Sequence, residues 1–261
     1  MLSYRSRMIV ALAAILALTG GLAGPATATL VHRYTFESGA DDSAGSLDGI
    51  ASGVVIDTAD AMQGVYSAEF GGVNYDDHIA FSSTAFNDTA FSVAMWVKPY
   101  TVGTVQALVA NKGGGTTAGF SMLLATDDLV FEAVDITNTD DSARAYDVMS
   151  SGTWQHVCFT VDRGADTCLI YHDGSPVTDD SAIQDGFVYG GAWRLGLLTD
   201  NGADFWGRMD DVQIYDEVLS AGAVAFLADN PGAAIPEPVT LAGLTMALAG
   251  LAGYVRRRHR I

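Results

Sequence analysis

Apolar and polar positions alternate most cleanly through residues 153–174, TWQHVCFTVDRGADTCLIYHDG. Val157, Phe159 and Val161 recur at every second position, the run breaks at Asp162-Arg163-Gly164-Ala165-Asp166, and it resumes through Leu169 and Tyr171. Period two on both sides of a short glycine-containing break predicts a β-hairpin, and His172-Asp173-Gly174 predicts a second turn. A lone hairpin is marginal in water, so its apolar side must lie on another sheet. The rest of the chain supplies strands for that packing. They are expected at 30–37, 54–56, 64–70 leading into Ile79, 91–97, 104–110, 120–124, 129–134, 192–198 and 204–214. Only 220–228 has a helical pattern, and no repeat of solenoid length is present.

Both ends differ from this middle. Arg5 and Arg7 precede an apolar run over 8–18, then small residues and Ala26-Thr27-Ala28, the order of a signal peptide over 1–28 with A-x-A cleavage. A folded region over 29–231 follows, then a linker over 232–238 containing Pro236-Glu237-Pro238. Residues 239–255 carry no charge, and 256–261 hold four arginines. Seventeen helical residues rise about 26 Å, enough for a bilayer, and the arginines put the end on the cytoplasmic side.

Charge narrows the partners. Seven of the 13 basic residues fall between Thr29 and Ile235, against 30 of the 31 acidic ones, so the middle carries a formal −23. Nucleic acid is excluded as a partner, because a polyanion is repelled. Asp dominates the acids, which serves turns and solubility and also suits an all-oxygen cation shell. Cys158 and Cys168 stand on the two arms of the hairpin; an exported chain permits a disulfide, while two buried thiols fit equally well, because the hairpin register decides. The Gly-rich stretch after Lys112 lacks the ending of a phosphate loop and reads as an inter-strand turn.

Three stretches in order carry a family resemblance: FSVAMWVKP at 91–99, the hairpin above, and GRMDDVQIYDEVLS at 207–220. With the 64–79 stretch they resemble the laminin-G-like modules of the concanavalin A-like lectin and glucanase superfamily. The resemblance runs from about residue 30 to 229. It implies an all-β, two-sheet antiparallel jelly-roll sandwich, which the alternation suggests on its own. Asp210 is in phase with Val212 and Ile214, so it is expected on the packed side, where a carboxylate needs an N–H cap or a cation. The resemblance implies one structural Ca²⁺ where the first loop meets the last strand, placing Asp42 and Asp210 as ligands with Asp41 or Glu37 assisting.

The same superfamily includes polysaccharide hydrolases and lyases. Retaining hydrolysis needs two carboxylates about 5 Å apart, on a strand at same-face positions. Glu132 and Asp135 stand at i and i+3, and no E-x-D-x-(x)-E strand or Gln-x-His lyase motif occurs. Gln155-His156 lies inside the structural W-x-H-V strand. The reading is non-catalytic. Rim residues expected to meet a sugar are Tyr75, Asp76, Asp77, Asp200, Asn201 and Trp206, while Trp96, Trp154 and Trp193 belong to strands. The tail, Pro-Glu-Pro then an apolar span then arginines, resembles the PEP-CTERM sorting signal of exopolysaccharide-producing Gram-negative bacteria. That implies transient inner-membrane anchoring, cutting by an exosortase-type enzyme, and release to the cell surface or matrix. The expected function is carbohydrate binding or adhesion, with a glycan or matrix polysaccharide as partner. The alternatives are a matrix protein without a specific glycan ligand, and a polysaccharide-active hydrolase or lyase.

Overall fold

In the computed structural model, fifteen strands and one helix follow one another through residues 28–235, the described part of the chain apart from 72–75, 84, 87–88, 114–117, 138, 180, 184–186, 188–190 and 200–201. Residues 1–27 of the leader expected over 1–28, the Pro236-Glu237-Pro238 motif, the apolar run and the arginine tail lie outside the described residues. So do Tyr75, Asp200 and Asn201. Among the described residues no helix is long and apolar enough to cross a membrane.

The strands are β1 (Leu30–Tyr34), β2 (Ile50–Ser52), β3 (Val55–Asp57), β4 (Ser67–Phe70), β5 (His78–Phe81), β6 (Ala90–Pro99), β7 (Val105–Ala110), β8 (Gly119–Ala125), β9 (Asp128–Val134), β10 (Asp140–Ala145), β11 (Gln155–Asp162), β12 (Thr167–His172), β13 (Ser175–Pro176), β14 (Trp193–Leu195) and β15 (Gly207–Tyr215). One sheet runs β13-β12-β11-β6-β15-β4-β3, with β1 also on β15; the other runs β10-β9-β8-β7-β14-β5-β2. Every strand pairing in both is antiparallel.

The core holds the inward side chains of both sheets: Val93, Met95 and Val97 of β6, Val157, Phe159 and Val161 of β11, and Phe120, Met122 and Leu124 of β8. Trp193 stacks on Phe81 at 3.8 Å between centroids, and Phe86 and Tyr34 meet its edge. The central hairpin forms as the alternation predicts, with Asp162 opposite Thr167 and Asp166 at φ 52° in the turn. The Asp173-Gly174 turn has positive φ at both positions, the geometry that suits two-residue hairpins. Asp173 Oδ1 accepts the His156 N–H at 2.8 Å, and the Asp173 N–H donates to the His156 carbonyl, joining the turn to the start of β11.

The helix α1 (Ala221–Asp229) begins at Ser220, whose hydroxyl accepts the Ala223 N–H. Its Ala223, Val224 and Leu227 cover Ala94, Cys158, Tyr171 and Tyr215 on the outer side of the larger sheet. Three strands escape the sequence pattern, one of them the two-residue β13 after the Asp173-Gly174 turn. β10 opens on Asp140-Asp141 and alternates polar Ser142 and Arg144 with buried Ala143 and Ala145, an edge strand whose small apolar residues give little signal. β2 is short and exposed.

β15 carries the feature that positions everything below. Its residues 207–209 pair with β4, and residues 212–215 pair with β1. Between these partners the register against β6 slips by one: Asp210 faces Trp96, but Gln213 faces Ala94. Asp211, at φ 47°, is the extra residue of a β-bulge.

Candidate functional site

Beside the core row Ile56, Ala68, Met209 and Val97 run the outward positions Val55, Glu69, Arg208 and Lys98, in register across β3, β4, β15 and β6. The Arg208 guanidinium is buried under its neighbours. It donates to Asp57 Oδ1 at 2.8 Å, to Ser67 Oγ at 3.0 Å and to Tyr100 Oη at 3.2 Å, and pairs with Glu69 Oε2. The Tyr100 hydroxyl in turn donates to Glu69 Oε1 at 2.9 Å. Farther along the row, Lys98 pairs with Asp60, which also accepts the Trp154 indole N–H at 2.9 Å.

Two aromatic rings stand over the end of this row. Trp206 is 51% exposed and Tyr100 37%. Their centroids are 6.3 Å apart and their planes cross at 79°. The Trp206 backbone is held by Gln106 Oε1 at 2.9 Å and by the Tyr100 N–H at 2.8 Å. Its ring rests directly on Gly71, where any Cβ would collide with the indole and where φ is 97°. Only glycine lets the ring lie this close. The Gly71 N–H donates to Asp77 Oδ2 at 2.9 Å.

The structure links Trp206 to Asp77 through Gly71. Asp76 is exposed, whereas Asp77 is buried and holds the Gly71 N–H. Tyr100, Glu69 and Arg208 were not singled out in the sequence, because their shared row appears only once the strand register is known. Asp204 also joins the rim. Its Oδ1 is buried without a hydrogen-bond partner among the described residues. Burial raises its carboxyl above the ordinary range, its own N–H opposes that, and the Asp76 and Asp77 charges add to it. Trp193 on β14 and Trp96 on β6 are buried, as expected of strand positions, whereas Trp154 lies just before β11 and is half-buried rather than part of a strand.

The calcium set does not assemble. No three of Glu37, Asp41, Asp42 and Asp210 offer oxygens within 4.8 Å of one another. Asp42 is ringed by donors: Arg33 N–H at 3.0 Å, Ala44 N–H at 3.2 Å and Gly45 N–H at 2.8 Å on Oδ1, with Leu47 N–H at 3.0 Å and His32 Nδ1 at 2.6 Å on Oδ2. Burial would raise its carboxyl, but these hydrogen bonds outweigh that and hold it at about 2. Glu37 Oε1 accepts the Val65 and Tyr66 N–H groups, each at 2.8 Å, and Asp41 is exposed. Asp210 departs from its expected place. The bulge shifts its phase, so Met209, Val212 and Ile214 face the core while Asp210 lies with Trp96 on the other side. It is fully buried there, because the turn at Met62 and Gln63 folds over it and donates both N–H groups to Oδ2, at 2.8 and 2.9 Å. These carboxylates cap backbone donors, and they do not fit a calcium ion.

Asp127, Asp128 and Asp147 do bring oxygens within 4.8 Å of one another, but Asp128 is taken by the Asp147 N–H at 2.9 Å and by Arg144 at 3.4 Å. A concavity of about 310 Å³ over Ile50, Ala80, Ala192, Arg194 and Thr199 is largely apolar; the Arg194 Nη1 donates to the Leu198 carbonyl at 3.1 Å. His156 is buried against Trp96, and burial lowers its imidazole to about 4, with Asp173 opposing. Gln155 clamps the preceding turn through Ser150. Cys158 and Cys168 are free and buried. Cys168 pairs across from Val161 and enters the core, whereas Cys158 pairs across from Tyr171 and faces α1. They lie on opposite faces of the sheet, so the disulfide that the spacing permits does not form.

Solved structures with this architecture include domain 4 of AbnA, a GH43 extracellular arabinanase from Geobacillus stearothermophilus, in complex with arabinotriose. It matches with TM-score 0.64 at 22% identity, covering 77% of this chain and 99% of that domain. The botulinum neurotoxin serotype G binding domain matches with TM-score 0.58 at 14% identity, over 77% of this chain and 50% of that one. The binding domain of Paraclostridial Mosquitocidal Protein 1 gives 0.59 at 18% identity, over 76% and 51%. The chain thus spans about half the length of the two toxin domains. At these identities the likeness is one of fold. No curated protein matches the chain. The Laminin_G_3 family model, described as the concanavalin A-like lectin/glucanases superfamily, matches residues 71–225, more than half of the sequence. The two antiparallel sheets, their shared core and this match together place the chain in the concanavalin A-like lectin/glucanases superfamily.

Proposed function

We propose that the chain is an exported, non-catalytic carbohydrate-binding or adhesion module, held at the inner membrane by residues 239–255 and then sorted to the cell surface or exopolysaccharide matrix by an exosortase-type enzyme. The observation that carries the binding reading is the exposed Trp206–Tyr100 pair beside the Glu69 and Asp57 carboxylates. A ring face packs on the apolar side of a sugar, and fixed carboxylates accept its hydroxyls. Aromatic planes held by backbone hydrogen bonds lose little freedom on binding, which favours affinity. The arabinotriose in the AbnA domain supports a carbohydrate ligand for this fold. For catalysis, two carboxylates should flank an open gap. Here Asp57 and Glu69 converge on one guanidinium, which supports a binding role.

The test is a panel of immobilised neutral oligosaccharides probed with the full chain in a detergent that lacks a sugar headgroup. Trp206→Ala is expected to lower affinity about tenfold or more, a loss of roughly 1.4 kcal/mol. Undiminished binding by a folded Trp206→Ala, Tyr100→Ala double variant would remove this rim as the site. Sugar release from any panel member would replace the module with an enzyme.

A further inference from the structure

We propose that Asp216 is a receptor for the chain's own processed end: the α-ammonium of Thr29, freed when the leader is cut after Ala28, docks on its carboxylate, and the cut comes before the sandwich closes. This rests on the export reading above and adds what the fold does with the end that export creates.

The first support is geometric. Thr29 N lies 2.6 Å from Asp216 Oδ1, and the Asp216 N–H donates to the Thr29 carbonyl at 3.1 Å, one step beyond the Leu30–Tyr215 pair of β1 and β15. The first separation is closer than the usual N–H···O of about 2.9 Å and suits a charge-assisted contact. Among the described residues the Asp216 carboxylate has no other hydrogen-bond or ion-pair partner. Hydrolysis of the Ala28–Thr29 bond would place a positive charge on that nitrogen. Water adds across the C–N bond: its oxygen stays on the Ala28 carbon as the leader's new carboxylate, and Thr29 N departs as an amine, protonated below about pH 8. The nitrogen keeps its place, and a neutral donor becomes a cation beside a carboxylate.

The second support is the rigidity of the receptor. Tyr215, before Asp216, is wholly buried. After it, Ser92 Oγ donates to the Glu217 carbonyl at 2.7 Å and accepts the Leu219 N–H at 2.9 Å. A carboxylate on a segment fixed at both sides loses little freedom when it takes a partner. Thr29 is exposed, so its ammonium stays partly hydrated and avoids full desolvation.

The third support fixes the order of events. Ala28 is 3% exposed and packs in the cluster that holds Tyr215 and, from α1, Ala223, Val224 and Leu227. A peptidase needs the residues on both sides of the cut bond extended and free, so susceptibility follows the burial and hydrogen bonding of that backbone. In the folded chain Ala28 is buried and the next two residues are bonded to the β15 end. Cutting then waits on local opening, and its rate follows the open fraction. An unfolded chain needs no opening. Once cut, Ala28 leaves with the leader and takes only one methyl group from the cluster.

The experiment uses the full-length precursor in detergent and the processed protein recovered from exporting cells. The intact mass of the processed protein should place Thr29 first. With a leader peptidase, the folded precursor should be cut about tenfold or more slowly than a precursor kept unfolded by Val157→Asp and Phe159→Asp in the core. An aminopeptidase should remove Thr29 from processed, folded Asp216→Asn about fivefold faster than from wild type, since asparagine keeps an oxygen for the nitrogen but no charge. Glu217→Gln, at the exposed acid next in the chain, should match wild type. A surface protein with its leader uncut, or cut elsewhere, would overturn the leader reading and the proposal together. Thr29 in first place, with equal trimming of wild type and Asp216→Asn, would remove the receptor and leave export standing. Equal cutting of folded and unfolded precursor would overturn the order. Acceleration by Glu217→Gln equal to that by Asp216→Asn would show diffuse attraction to an acidic surface, which also removes the receptor.

Discussion

Asp210→Asn should stabilise this protein at neutral pH. Asp210 is wholly buried, and its two oxygens accept from Met62 N–H, Gln63 N–H and, at 3.3 Å, Gln63 Nε2. Burial pushes its carboxyl from 3.8 up to about 6; the Gln63 and Met62 hydrogen bonds oppose this and the neighbouring Asp211 charge adds to it. A folded pKa above the unfolded one means a contribution fully present below about pH 4 and lost as pH rises through about 6. Above that, the buried carboxylate is ionised, and a shift of roughly two units costs about 3 kcal/mol relative to the protonated form. Asparagine keeps an oxygen for the Met62 and Gln63 N–H groups and carries no charge; it gives up only the 3.3 Å contact from Gln63 Nε2, which keeps its 3.0 Å bond to the Thr35 carbonyl. The expected gain at pH 8 is therefore up to about 3 kcal/mol, or about 6–12 °C in Tm for a domain of this size. Near pH 4 the gain should vanish. Asp42 acts in the opposite sense: its depressed carboxyl contributes above about 3.8 and is lost as pH falls through about 2. That acid limb is common to both proteins, so the difference between their curves isolates Asp210. The assay is thermal unfolding of the full chain and of the variant from pH 4 to pH 8. A variant destabilised equally at every pH would show that the two N–H donors hold Asp210 ionised and that the argument from burial is wrong.

Two further predictions concern the cysteines and the tail. Both thiols are raised by burial, so neither Cys158 nor Cys168 should react with maleimide in the native protein, and two should react after unfolding without reductant; an intact mass two daltons short of the dithiol would contradict the face assignment. If residues 236–238 are the sorting motif, protein recovered from the cell surface should end near Pro238, and peptides from 254–261 in that fraction would show a permanent anchor instead.

The strands most visible in the sequence are those with one face in the core. β6, β8, β9 and β11 carry core-facing apolar residues at every second position, with further apolar residues between them in β6, β8 and β9, and each is found within a few residues of its expected place. β10 was not legible, since alanine at its inward positions contrasts weakly with Ser142 and Arg144. The rim was half legible. Trp206 draws notice as an aromatic residue beside polar ones, but Glu69, Tyr100 and Arg208 are distant in sequence and meet only through the register of β4, β6 and β15. The disulfide question had the same root: a four-residue loop in the hairpin, which composition does not fix, sets the two cysteines on opposite faces.

Asp210 shows where a period-two argument stops working. The rule that i and i+2 share a face holds only while the ladder is regular. β15 must serve two partners along one edge, β4 through Gly207–Met209 and β1 through Val212–Tyr215, and the bulge at Asp211 lies between them. Asp211 occupies the left-handed region that glycine favours, and its carboxylate is used to hold that position: Oδ1 accepts Arg33 Nε at 2.7 Å, and Oδ2 accepts Gln213 Nε2 at 2.9 Å and the Gly232 N–H at 3.1 Å. Gln213 then reaches the Ala233 carbonyl at 2.8 Å and the Tyr215 hydroxyl at 2.5 Å, so the segment entering residue 235 is tied to the same bulge. The adjacent acids Asp210 and Asp211 thus divide the work, one capping the 62–63 turn and the other fastening the chain's exit from the sandwich. A motif that invites a metal reading is, in this chain, the joint that lets one strand change partners.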